Sequence, residues 1–159
     1  MQLVQLITRI KASPKICFDL SRDIDFHTRS MGSSDEKAVG GVKTGLIGIG
    51  HEVTFRGKHF GIYHEHTSRI TAFNRPLHFR DEMVSGRFRS FVHDHYFEEI
   101  DGETVMRDVI EFQSPFWIFG VAVDAIILKA YLQRLIETRN EALKNEAERL
   151  QEISPLRGE

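Results

Sequence analysis

Histidines and aspartates recur in this chain at spacings that could do chemistry. His93-Asp94-His95 and His64-Glu65-His66 each set two imidazoles two residues apart, which on a strand puts both on one face. With Asp81 or Asp108 as a third group they form a donor set of the kind that zinc and other transition metals accept. A histidine held by an aspartate, such as His95 by Asp108, is equally suited to moving a proton near neutral pH. The spacing is permissive rather than specific, because eight histidines in 159 residues produce such pairs by chance. No metal and no other cofactor is expected.

Other reactive patterns fall away on inspection. Cys17 is the one cysteine and lies on the apolar side of an early helical stretch, where packing explains it better than nucleophilic chemistry. Gly40, Gly41, Gly45, Gly48 and Gly50 suggest a phosphate-cradling loop, but Lys43-Thr44 lacks the glycine before the lysine, and Gly48-Ile49-Gly50 lacks a third glycine at dinucleotide spacing. Glu137, Arg139 and the neighbouring charges of the last helix read as a solvated face with spaced ion pairs.

The elements that must position these groups follow from the patterning. Leu3 to Ile10 is rich in branched residues and reads as a strand, and Ser13-Pro14 signals a helix start. Between Pro14 and about Met31 two short helices are expected, capped between them by Asp23 or Asp25, and forming a lid or rim. Strands follow around Val53 and Phe55, from Phe60 to about Ala72, from Leu77 to Val84, and from Phe88 to Ile100. Asp101-Gly102 is a strong hairpin signal, with Glu103 to Phe112 as the return strand. Sequential hairpins of this kind make an antiparallel meander. After Gly120 apolar residues recur at three and four residues through Ile127, Tyr131, Leu132, Ile136, Leu143 and Leu150. A helix of about thirty residues reaches roughly 45 Å, enough to lie across a whole sheet.

A two-residue turn fixes register. It sets Ile100 opposite Glu103, Phe97 opposite Met106, His95 opposite Asp108, His93 opposite Ile110 and Phe91 opposite Phe112 on one face. The other face pairs Tyr96 with Arg107, Asp94 with Val109 and Val92 with Glu111, a mixture suited to solvent. A three-residue loop at Gly86 adds Phe79 opposite His93 and Asp81 opposite Phe91. The inner face is then aromatic with a polar centre, and buried polar groups of that number cost free energy unless hydrogen-bonded or wet. A cavity for a small apolar or amphipathic ligand accounts for it; a self-satisfied His95-Asp108 pair is the plainer alternative.

Size and composition agree with one domain over residues 1–151 and a frayed tail over 152–159. A formal net charge of -2 gives no basic field for nucleic acid. The apolar stretch from Phe116 to Leu128 is broken by Gly120 and Asp124 and is too short for a bilayer, which takes roughly 20 residues. A lone cysteine and an N-terminus without signal-peptide features point to a cytoplasmic protein, as a monomer or homodimer.

The order of strand, two short helices, glycine-rich turn, antiparallel strands and long last helix resembles the START-related superfamily called SRPBCC, and within it the bacterial polyketide cyclase/dehydrase-like branch. The resemblance covers about residues 3–145. It rests on Gly48-Ile49-Gly50-His51-Glu52-Val53-Thr54-Phe55-Arg56, Thr67-Ser68-Arg69-Ile70-Thr71 and Phe79-Arg80-Asp81-Glu82. Phe91-Val92-His93-Asp94-His95-Tyr96-Phe97, Met106-Arg107-Asp108 and Glu137-Thr138-Arg139-Asn140 continue it. The resemblance implies an α+β helix-grip fold, a curved antiparallel sheet wrapped around the C-terminal helix, and a cavity between them. Relatives use that cavity for lipids, sterols, polyketides or hormones, and some run cyclisation or dehydration in it. The expected lining is Phe55, His66, Phe79, Asp81, Phe91, His93, His95, Phe97, Met106, Asp108, Ile110 and Phe112 from the sheet, with Ile127 and Tyr131 from the helix. His66 stands where an apolar residue is expected in this branch, which makes the pocket more polar. Ligand binding is the favoured reading, and a cyclase or dehydratase using His95 and Asp108 is the alternative.

Overall fold

The computed structural model describes residues 1–114 and 121–154. Strand β1 (Gln2–Ile10) leads through Ser13, whose hydroxyl accepts from the Ile16 amide, into α1 (Pro14–Ser21). Pro14 fits at the first helical position because its missing N–H has no partner to lose there. Asp23 then caps α2 (Ile24–Ser30), its carboxylate accepting from the amides of Asp25 and Phe26 at 2.9 and 3.1 Å. Asp23→Ala is expected to cost about 1 kcal/mol, read as a fall in Tm of about 2–4 °C by calorimetry.

Six further strands follow: β2 (Lys37–Gly41), β3 (Glu52–His59), β4 (Ile62–Asn74), β5 (His78–Ser85), β6 (Ser90–Ile100) and β7 (Glu103–Gln113). With β1 they form one antiparallel sheet in the order β1-β7-β6-β5-β4-β3-β2. The Asp101-Gly102 turn sets β6 against β7 in the expected register throughout, including His95 opposite Asp108. The β5–β6 register differs by two residues. Phe79 lies opposite His95 and Asp81 opposite His93, because residues 86–89 all serve as connection between the two strands. Phe88 folds back from that connection onto Phe91 and Phe112, with ring centroids at 5.1 and 5.6 Å. A shift of two keeps every side chain on its face, so the inner face has the expected composition.

The glycine-rich stretch includes β2, a short strand that pattern reasoning does not find. Gly41 is in the left-handed region at φ +65, and a Cβ there would fall 2.1 Å from the Glu52 carbonyl oxygen, so only glycine lets β2 approach β3. The amides that a phosphate would need are already engaged. Gly45 N donates to Asp25, Ile47 N to the Arg22 carbonyl and Gly50 N to the Ile70 carbonyl.

Helix α3 (Val121–Ile153) packs along β1 and against α1 and α2. It includes Glu152 and Ile153, and the tail beyond Ser154 lies outside the described residues. Helix α1 is no rim: Cys17 and Phe18 are fully buried. Phe18 meets Phe73, Phe79 and Phe97 edge to face at 5.2–5.4 Å, a geometry that the ring quadrupoles favour. Leu143 and Ala147 of α3 close this cluster. A second cluster of Val4, Ile110, Phe112, Leu132 and Ile136 joins the other end of the sheet to the helix. Among the described residues no helix is long and apolar enough to cross a membrane.

Candidate functional site

Three strands and one helix bring a buried charged cluster together. His93 and His95 project from the same face of β6, with Asp81 beside them on β5 and Asp108 on β7. His93 Nε2 lies 2.9 Å and His95 Nδ1 3.0 Å from the same oxygen, Asp108 Oδ1. The second of these contacts is off the line of a directed hydrogen bond, which leaves His95 Nδ1 buried without a well-aimed partner. On the other side His95 Nε2 lies 3.0 Å and His93 Nδ1 4.0 Å from Asp81 Oδ2. The two imidazoles are 3.7 Å apart between centroids.

Helix α3 completes the cluster. Asn140 Nδ2 donates to Asp108 Oδ2 at 2.7 Å, and Arg139 Nη1 stands 3.6 Å from Asp108 Oδ1. Arg139 also donates to the Ser21 carbonyl and to the Asn140 side chain. It is 3 % exposed, so the solvated face expected there does not include it. Arg139 and Asn140 fall on the helical stripe that carries Leu132, Ile136, Leu143 and Ala147, and that placement was the available signal.

Burial opposes ionisation of every member, and local partners decide which ones ionise anyway. Burial works against ionisation of Asp108, but the His93 hydrogen bond and the close His95 imidazole outweigh it and hold the carboxyl well below the usual range. Asp81 is brought down to about 2 in the same way, chiefly by His95. His95 is pushed up, since contacts to Asp108 and Asp81 overcome its desolvation. His93 is pushed down by burial and by the neighbouring His95.

Asp81, His93 and His95 form one wall of a cavity of about 90 Å³. Phe55, Phe79, Val53, Ile70, Ile47 and Ile136 supply its apolar walls, and Arg22, His27 and Arg139 also reach it. A second polar group lies near it: Glu36, brought down to about 2, accepts from His27 at 2.9 Å and faces His59 at 3.5 Å. Burial works against that ionisation, and the two histidines outweigh it. His59 Nδ1 in turn meets the Tyr131 hydroxyl at 2.6 Å. Glu36, in a short irregular stretch before β2, gives no pattern to read.

Of the expected lining residues, Phe55, Phe79, Asp81, His93 and His95 line this cavity. Asp108 stands behind the histidines. Phe97 and Met106 belong to the Phe18 core, and Ile110 and Phe112 to the second cluster. His66 bonds Ser68 Oγ at 3.0 Å and lies edge-on to Phe91. Tyr131 reaches His59 instead, and Ile127 is exposed.

No protein-family model matches the chain, nor does any curated protein sequence. Solved structures match along nearly its whole length. The aromatase/cyclase Zhui from Streptomyces sp. R1128 superposes with a TM-score of 0.74 at 14% identity, covering 94% of this chain and 94% of that one. A START superfamily protein from Mycobacterium smegmatis gives 0.71 at 10% identity over 93% and 98%. Major latex-like protein 151 from Panax ginseng gives 0.64 at 12% identity over 91% and 97%. At such identities the likeness speaks for the backbone alone, and with the curved seven-stranded sheet, the two early helices and the long last helix it establishes that this chain has the START-related, SRPBCC-type helix-grip fold.

Proposed function

We propose that this protein binds a small amphipathic molecule in the cavity between sheet and helices, with a polar group of the ligand set against Asp81, His93 and His95. The supporting observation is a cavity lined largely by apolar side chains with charged and polar groups among them, the usual make-up of a small-molecule site. Its volume of about 90 Å³ is well under the roughly 300–1,000 Å³ common for larger ligands. The fitting ligand is therefore a short acyl, isoprenoid or single-ring compound, or the head of a longer one. Buried, unpaired Cys17 suits a reducing cytoplasmic setting.

Native mass spectrometry of freshly purified protein, followed by a binding screen of short acyl, isoprenoid and aromatic compounds, tests the reading. Val53→Phe fills the cavity from its apolar wall and is expected to weaken binding at least tenfold, while overpacking costs stability by about 1–3 kcal/mol. Undiminished binding in that variant would put the ligand elsewhere, and no ligand from either experiment would end the proposal.

A cyclase- or dehydratase-type enzyme is the second reading. It is favoured by one feature, the opposite displacement of His93 and His95, since neighbouring groups driven apart in pKa are how a site obtains an acid and a base at one pH. Under this reading His95→Gln abolishes turnover of a polyketide-like substrate without abolishing its binding.

A further inference from the structure

We propose that Asp81, His93 and His95 are the ligands of a divalent first-row transition metal, of the zinc or iron(II) class, and that Asp108 is the positioning residue that orients the His93 imidazole toward it. One donor atom from each of the three residues lies within 4.8 Å of the others. Donors around a four-coordinate metal at about 2.0–2.1 Å stand about 3.3 Å apart, so small side-chain adjustments close the site. His95 Nε2 is already 3.0 Å from Asp81 Oδ2, and His93 Nδ1 is 4.0 Å from it.

The stronger argument is the arrangement behind these donors. His93 turns its other nitrogen, Nε2, into a hydrogen bond with Asp108 Oδ1, and His95 Nδ1 stands 3.0 Å from the same oxygen off the hydrogen-bond line. A proton on His93 Nε2 leaves the lone pair of its Nδ1 facing Asp81, while His95 Nε2 donates to Asp81 Oδ2 at 3.0 Å, and a metal would take the place of that proton. Metal-bound histidines are commonly oriented in this way, by a carboxylate on the ring nitrogen that does not touch the metal. Asp108 is fixed in turn by Asn140 Nδ2 at 2.7 Å. A simple hydrogen-bonded cluster would not leave His93 Nδ1 at 4.0 Å from Asp81 and His95 Nδ1 buried without a hydrogen-bond partner.

Position points the same way. Asp81, His93 and His95 face the cavity and Asp108 does not line it, so an ion held by the three would keep coordination positions open toward bound water or ligand. Two histidines and one carboxylate with open positions is a donor set for zinc and for non-haem iron(II). The metal would occupy the same three residues that the proposed function sets against a ligand's polar group, and titration with metal alone, without an organic ligand, tests it separately from that reading.

Chelator-treated protein titrated with Co²⁺ alone, followed by visible absorption, and with Zn²⁺ alone, followed by calorimetry, tests the proposal. The expected result is one equivalent bound at micromolar Kd or tighter, with Co²⁺ bands stronger than those of the hydrated ion. His93→Gln and Asp81→Asn are expected to weaken binding at least 100-fold. Asp108→Asn is expected to weaken it about 10–100-fold and to change the imidazole tautomers seen in long-range ¹H–¹⁵N spectra. His59→Gln leaves binding unchanged. If a variant does not fold, the intact protein still decides: Co²⁺ must shift the ring signals of His93 and His95 and not those of His59 and His64. No binding by intact protein at millimolar metal, or binding that moves other histidines or survives in folded His93→Gln, overturns the proposal.

Discussion

Asp108→Ala is expected to lower the unfolding free energy by about 3–5 kcal/mol, the cost of removing one partner from a buried charge network. For a chain of this size that is a fall in Tm of roughly 10 °C or more. Asp108 is 1% exposed and takes contacts from His93, His95, Asn140 and Arg139. Without it the buried Arg139 guanidinium loses the carboxylate that stands 3.6 Å away. Arg139 cannot relieve this by giving up a proton, because a guanidinium does not deprotonate in a protein. The buried cation then sets the penalty.

The pair can be separated by a cycle of variants. Arg139→Met removes the cation but keeps much of the side chain's volume, and adding it to Asp108→Ala is expected to cost less than the sum of the two, with a coupling of about 1 kcal/mol or more. Urea unfolding of the four proteins gives the comparison. A loss under about 1 kcal/mol for Asp108→Ala would mean that the cluster is hydrated and its charges are screened.

How far this cluster could be read without coordinates depended on the constraint acting at each residue. Asp101-Gly102 admits a short turn of defined geometry, so the pairing of His95 with Asp108 follows by counting. Gly86 does not impose a loop length. The packing of Phe88 against Phe91 and Phe112 widens that connection, and Asp81 moves from Phe91 to His93. This two-residue displacement creates the Asp81–His93–His95 grouping. Arg139 and Asn140 were obscured by their chemistry, since charged residues on a long helix are usually solvated and only their place on the apolar stripe marks them as inward. Phe18 shows the same limit for packing: α1 is too short for its pattern to distinguish a rim from a core element, and the edge-on rings around Phe18 settle it. Glu36 depends on His27 and His59, which are distant from one another in the chain, and no local pattern joins them.

Stability is expected to fall steeply as the solution is acidified below about pH 4.5. The folded protein holds Glu36 and Asp81 at about 2, and Asp94 and Asp108 are also lowered. In the unfolded chain these groups take protons near pH 3.9 for Asp and 4.3 for Glu. A carboxylate lowered by folding contributes stability that is fully present above its unfolded pKa and is lost as pH falls toward its folded one. The window for Glu36 and Asp81 therefore runs from about pH 4.5 down to about 2, and their contributions are on the order of 2 kcal/mol each. His95, raised in the fold, has the opposite sign: its contribution is present below about pH 6.5 and is lost as pH rises through its folded value. His93, lowered, loses its contribution as pH falls below about 6.5 and partly offsets His95 there. Urea unfolding between pH 2.5 and 7 is expected to show the acid limb. Glu36→Gln, which leaves the Asp81–His93–His95 wall intact, should lower stability by on the order of 2 kcal/mol at pH 6 and by much less at pH 2.5, so its acid limb is shallower. Parallel limbs in the two proteins would show that Glu36 does not owe its charge to His27 and His59.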